Sequence, residues 1–114
     1  MSTLEEKKLL TDIKISIESI YEHLENNFAF EIYKANKTKR RAVERELEII
    51  GEAINKLLKI NPEIIISYSR QIVDLRNKII HSYDNVNDMV IWKIIIKDIP
   101  VLQKEVENYL EDKI

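Results

Sequence analysis

Arg76, Asn77, His81 and Tyr83 bring a cation, an amide, an imidazole and a phenol into eight consecutive residues. Their spacing can be tested on a helix turning about 100° per residue. Ile72, Val73, Leu75, Ile79 and Ile80 then gather on one face, and Arg76 falls at its centre. Tyr83 falls beside Arg76 two turns later, and Asn77 and His81 share the flank. An arginine cannot shed its charge on burial, so it needs a carboxylate, a phosphate or an open cleft. Two readings follow. Arg76 pairs with a carboxylate such as Glu52 or Asp12, and His81 is an ordinary helix-end histidine whose positive form suits a helix C-terminus. Alternatively, the residues line a polar cleft. Histidine moves protons near neutral pH and arginine grips phosphate oxygens through two nitrogens, which are the parts for phosphodiester chemistry.

A second group is basic. Lys34, Lys37, Lys39, Arg40, Arg41 and Arg45 place six cations among twelve residues, against one acid, Glu44. This is either a solvated helix start or a landing strip for RNA backbone or an acidic partner. Cations at a helix N-terminus oppose its dipole, which favours a purpose beyond stability. Glu105, Glu107, Glu111 and Asp112 near the C-terminus read as a solvated acidic face.

The elements that must position these groups are helical. The chain has 114 residues, one glycine, two prolines and no cysteine, with 45% hydrophobic and 33% charged residues. That is a globular balance for one domain over residues 1–114, without the turn residues that sandwiches and barrels need. Missing cysteine excludes disulfides and thiolate chemistry, and a single glycine excludes a phosphate-cradling Gly-rich loop. With two histidines, no metal site or cofactor is expected. Net charge is −2, so nucleic-acid contact must be local. The first residues are acidic and polar, unlike a secretory leader, and no apolar run approaches the roughly 20 residues that span a bilayer. A soluble, cytoplasmic protein with no membrane association is expected.

Four helical segments carry an apolar stripe with steps of three and four residues. The first, from about Leu4 to Asn26, opens on a capping box at Ser2/Glu5 or Thr3/Glu6. The second, from about Lys39 to Ile60, ends at Asn61-Pro62 and contains Gly51, where a close helix crossing is expected. The third runs from about Ser69 to Ser82. The fourth runs from about Asn87 to Lys113, and Pro100 predicts a kink inside it. Residues 28–38 suggest a loop or helical turn packed on the bundle, since a lone strand would have no partner. The architecture read from these signals is all-α, an antiparallel four-helix bundle with a possible extra short helix. Tyr68, Tyr109 and Trp92 read as packing residues, Trp92 also as a candidate for a subunit interface.

The segment Arg76-Asn77-Lys78-Ile79-Ile80-His81-Ser82-Tyr83 resembles the R-x4-H-x-Y signature of HEPN proteins. The block Arg41-Ala42-Val43-Glu44-Arg45-Glu46-Leu47-Glu48-Ile49-Ile50-Gly51-Glu52-Ala53 resembles the second helix of the HepT toxin subgroup. With the four-helix pattern and the length, the resemblance covers nearly the whole chain. It implies a metal-independent endoribonuclease toxin, a homodimer formed around the R-x4-H motif. Its implied partner is a minimal nucleotidyltransferase antitoxin. His81 would then serve as general base or acid on the ribose 2′-hydroxyl, Arg76 would neutralise the scissile phosphate, and Asn77 would orient the phosphate or the catalytic pair. Tyr83 matches the position where the antitoxin attaches AMP. Glu52 is a candidate partner of Arg76, and Lys37, Lys39, Arg40, Arg41 and Arg45 are candidates for contact with RNA or the antitoxin. The same fold also serves non-catalytic subunits that present a substrate or nucleotide to a nucleotidyltransferase, so that alternative stands beside the nuclease.

Overall fold

Thr3 starts the first helix. In the computed structural model its hydroxyl accepts the Glu6 amide at 3.1 Å, satisfying one of the amides left without a partner at a helix start. The structure describes residues 3–82 and 87–111. Helix α1 (Leu4–His23) buries Leu9, Leu10, Ile13, Ile17 and Ile20, the stripe expected from the sequence. It stops at His23 rather than Asn26, because Glu25 and Asn26 take left-handed backbone with φ of 56° and 55°. The irregular stretch contains a six-residue helix, α2 (Phe30–Ala35), which buries Tyr33.

Helix α3 (Lys37–Ile60) begins two residues earlier than its periodicity indicated. Asn36 caps it by accepting the Lys39 amide at 2.9 Å. That cap lies inside the basic run, where no apolar residue marks a turn. Val43, Leu47, Ile50, Ile54 and Leu57 face the core. Helix α4 (Ser69–Ser82) has the expected bounds and buries Ile72, Leu75 and Ile79.

The last segment is less regular than expected. It divides into α5 (Asp88–Lys93), a π-helical turn (Ile94–Asp98) and α6 (Ile99–Leu110). The expected disturbance at Pro100 is displaced upstream. Pro100 occupies the first turn of α6, and the Ile99 amide bonds back to the Ile94 carbonyl, five residues earlier. The wide turn absorbs the hydrogen bond and the space that a proline denies the preceding turn.

Helix α3 packs against α1 and α4, and α1 also packs against α6. His23 meets Glu46 at 3.1 Å, while Leu9 and Asp12 lie opposite residues 48–56, so α1 and α3 are antiparallel. Arg41 and Glu44 lie near Ile79 and Ile80, while Gly51 lies against Arg76 and Ile72, so α3 and α4 are antiparallel too. The chain is an all-α helical bundle, and no described helix is long and apolar enough to cross a membrane.

Two side chains depart from their sequence reading. Glu105 is not simply a solvated acid: its carboxylate accepts the Ser67 amide at 3.0 Å and the Ser67 hydroxyl at 2.7 Å, closing the connection into α4. Tyr68, read as packing, is 41% exposed and left-handed at φ 61°. Trp92 packs in the core, as read, with its ring tilted against those of Tyr33 at 5.2 Å and Phe30 at 5.9 Å. Tyr109 does pack on the bundle and donates its hydroxyl to the Ile65 carbonyl at 2.7 Å.

Candidate active site

Gly51 decides where Arg76 can go. A Cβ on residue 51 would lie 2.5 Å from the Arg76 Cβ and 2.9 Å from its Cγ, inside contact distance for carbon atoms. The bare α3 backbone therefore lets the arginine stem lie flat across the helix crossing. Glycine costs roughly 1 kcal/mol in a helix interior relative to alanine. Here that cost gives α4 a close approach, as the sequence suggested, and also gives the arginine its seat.

From that seat the guanidinium enters a groove of about 260 Å³ bordered by α1, α3 and α4. Its Nη2 donates to the Glu52 carboxylate in a short hydrogen bond, and its Nη1 donates to the Asn77 side-chain oxygen at 2.9 Å. The Arg76 Nε is buried and has no hydrogen-bond partner. Lys56 stands 3.9 Å from the other Glu52 oxygen. Of the two carboxylates considered for Arg76, Glu52 takes the pair. Asp12 lines the same groove but pairs with Lys8 at 3.2 Å. The arginine at the centre of an apolar face is thus three-quarters shielded, with 25% of its side chain exposed. Its charge is met by one acid and its fork faces a cavity. Arginine forks bind phosphate oxygens as readily as carboxylate oxygens.

The structure brings Arg76, Asn77 and Glu52 together. It does not bring His81 to them. His81 lies near the end of α4, exposed, and does not line the groove that holds Arg76. Five residues along one helix place the two side chains about 140° apart around the axis, so a single chain presents them on different sides of α4. Tyr83 lies outside the described residues.

The basic run divides. Lys37 is exposed and Lys39 half-buried. Arg40 turns away from the groove, hydrogen-bonded to the Lys34 carbonyl and 3.9 Å from Asp88. Arg41 stands 3.7 Å from Glu44. Arg45 binds Glu48 at 3.0 Å and lines both the Arg76 groove and an adjoining cavity of about 350 Å³, which Arg41, Glu44 and Ile80 also border. Burial pushes the Glu44 carboxyl up, aided by the Asp88 charge and opposed by Arg41 and Arg40. The parts that sequence reasoning missed are Lys56 and Glu48, each four residues from Glu52 on α3. Their signal was the i, i+4 charge pattern around the chain's one glycine. Among the described residues no three carboxylate or imidazole groups converge on a metal-binding geometry.

Comparison with known proteins finds relatives of the chain. Residues 13–109 match the family model described as ribonuclease HepT-like. A protein of Thermococcus cleftensis named as a probable ribonuclease HepT is 38% identical over 106 residues, covering 90% of this chain and 93% of the relative. A protein of Caldanaerobacter subterraneus whose name marks it as a candidate RNase is 39% identical over 87 residues, 73% of this chain and 75% of the relative. One from Methanocaldococcus jannaschii, named in the same way, is 36% identical over 92 residues, 76% of this chain and 73% of the relative. No solved structure matches the chain.

Proposed function

The chain belongs to the ribonuclease HepT-like family of the HEPN superfamily, and from that premise we propose that it is a metal-independent endoribonuclease toxin. One observation carries the chemical reading. Arg76 is not sealed among apolar side chains but is laid over Gly51 into an open groove, with its fork already on an anion. In the proposed reaction a phosphodiester of RNA replaces that anion. His81 takes the proton from the ribose 2′-hydroxyl, the 2′-oxygen bonds to phosphorus, and the bond from phosphorus to the 5′-oxygen breaks. The departing 5′-oxygen takes a proton from an imidazolium, and Arg76 neutralises the charge that grows on the phosphate oxygens. Asn77 fixes the guanidinium through its side-chain oxygen. The products are a 2′,3′-cyclic phosphate and a 5′-hydroxyl. DNA, which lacks the 2′-hydroxyl, is not cut.

His81 stands outside the Arg76 groove of its own chain, which supports a homodimer in which both protomers contribute these two residues to one cleft. Residues 1–114 act as one HEPN-like domain in the cytoplasm, beside a minimal nucleotidyltransferase antitoxin. That partner silences the toxin by transferring AMP from ATP to the Tyr83 hydroxyl, with pyrophosphate leaving. The added phosphodiester is a bulky anion beside the cleft. The occupied fork of Arg76 also suits the runner-up reading, a non-catalytic subunit that binds substrate or nucleotide for a nucleotidyltransferase.

RNA digestion in EDTA separates the two. Wild type should yield cyclic-phosphate ends by mass spectrometry, and His81→Ala should yield none. Cleavage that requires added Mg²⁺ would overturn the mechanism. Absence of cleavage by a preparation whose intact mass shows unmodified Tyr83 would favour the binding subunit.

A further inference from the structure

Within the basic run, space separates what sequence had grouped. Arg40 bridges the end of α2 and the start of α5, away from the groove. Arg45 faces α4, where Ile80 is shared by the Arg76 groove and the adjoining cavity, and Arg45 borders both. Because α3 and α4 run antiparallel, Arg45 and Arg76 follow one another along a single seam, and Lys56 stands at its far end. Each cation meets a carboxylate from α3: Arg45 meets Glu48, and both Arg76 and Lys56 meet Glu52. These carboxylates are tethered, so their effective concentration at the cations is high. A single free anion competes with them poorly. A strand that brings several linked phosphates to the same seam gains from every site it fills, and arginine forks bind phosphate through two nitrogens.

Resting on the ribonuclease reading above, we infer that Arg45 binds an RNA phosphate flanking the one held by Arg76, and that Glu48 and Glu52 are built-in competing anions. Together they make the seam accept a single strand of several nucleotides and refuse a lone phosphate. A groove of this volume admits a phosphate with its sugar and is far too small for paired strands.

The test measures fluorescence anisotropy of a labelled single-stranded oligoribonucleotide of about a dozen nucleotides. The full-length His81→Ala protein binds it without cutting it, across a range of salt concentrations. On this parent, Arg45→Gln should weaken binding by roughly three- to tenfold and flatten the log–log salt slope by about 0.7, the value for one phosphate contact on a single strand. Glu48→Gln should tighten binding, Arg40→Gln should change neither quantity, and millimolar inorganic phosphate should not displace the oligonucleotide. Arg45 is exposed, so its substitution leaves the fold intact, checked by circular dichroism. An Arg45→Gln protein with the parent's affinity and slope would overturn the inference alone. So would an Arg40→Gln protein that loses as much, a Glu48→Gln protein that binds more weakly, or displacement by inorganic phosphate. A parent that binds no RNA would overturn the inference together with the ribonuclease reading.

Discussion

Two arginine–carboxylate pairs share nearly the same shielding and sit in opposite surroundings. The Arg76 side chain is 25% exposed beside Glu52, and the Arg40 side chain is 26% exposed beside Asp88. Each region also contains a buried polar atom without a partner, the Arg76 Nε in one and the Tyr33 hydroxyl in the other. Around Arg40 those features close a joint. The guanidinium ties the end of α2 to the start of α5, over the Tyr33–Trp92 stack. Around Arg76 a groove stays open, and Gly51 leaves room for the arginine stem that borders it. Burial of the arginine therefore does not tell the two regions apart. What separates them is that only the Arg76 fork borders a groove a second anion could enter.

The largest effect should come from exchanging the two arginines' fates. Arg76→Ala should lower RNA cleavage by about 10²-fold or more, the range for losing a preorganised donor to a developing charge. It should cost only about 1 kcal/mol of stability, a few degrees of melting temperature, because its pair opens to water. Arg40→Ala should keep cleavage and lose a similar, small amount of stability. Cleavage assays beside calorimetry check both. Loss of cleavage in Arg40→Ala would break the comparison.

Gly51→Ala sharpens it. Helix propensity favours alanine by about 1 kcal/mol, while overpacking costs roughly 1–3 kcal/mol. The clash is with the fixed Cβ of Arg76 rather than a flexible tip, so the clash wins. The melting temperature should fall by about 5 °C, and cleavage should fall with it because the guanidinium is displaced. Unchanged cleavage would separate the arginine's seat from its chemistry.

Tyr33→Phe tests the closed region. It removes a buried hydroxyl with no partner, so stability should rise by up to about 1 kcal/mol with cleavage unchanged. Burial, with the charges of Glu44 and Asp88, pushes the Tyr33 hydroxyl above its ordinary value of 10.0. A group raised in the folded state gives stability that is complete below its unfolded pKa and is lost as pH rises toward the folded one. Wild type should therefore lose stability above pH 10 relative to the phenylalanine variant.

Glu44→Gln should give the smallest change. Its carboxyl is pushed above 4.5 mainly by burial, so the folded protein disfavours the ionised form. The amide variant should melt slightly higher at neutral pH, with the difference shrinking as pH falls below 4.5, where wild type is protonated in both states.

How much of this was legible depended on whether the signal was local. Helix α4 could be bounded because its apolar spacing is unbroken from Ile72 to Ile80, and an arginine at the centre of that face announced itself. Glu52 could be offered as its partner because charge must be met. Gly51 announced a close crossing, but the atom it admits belongs to a residue 25 positions away, and periodicity carries no such pairing. The same limit hid the Ser67–Glu105 contact, 38 residues apart, and made an acid that holds a connection look solvated. Asn36 was obscured by the cations around it. The proline kink was anticipated, but its conversion into a π-helical turn depends on hydrogen bonds chosen by packing. For the basic run, composition could count charges but could not tell that Arg40 closes a joint while Arg45 borders the groove.

The most direct test of a shared cleft is complementation between two inactive proteins. Arg76→Ala and His81→Ala chains would be co-expressed with different tags, and the mixed dimer purified through both. If the cleft joins Arg76 of one protomer to His81 of its partner, the mixed dimer contains one complete set. It should then recover cleavage approaching half that of wild type while each parent dimer stays inactive. A mixed dimer as inactive as its parents, with wild type active under the same conditions, would contradict a cleft completed by Arg76 of one protomer and His81 of the other.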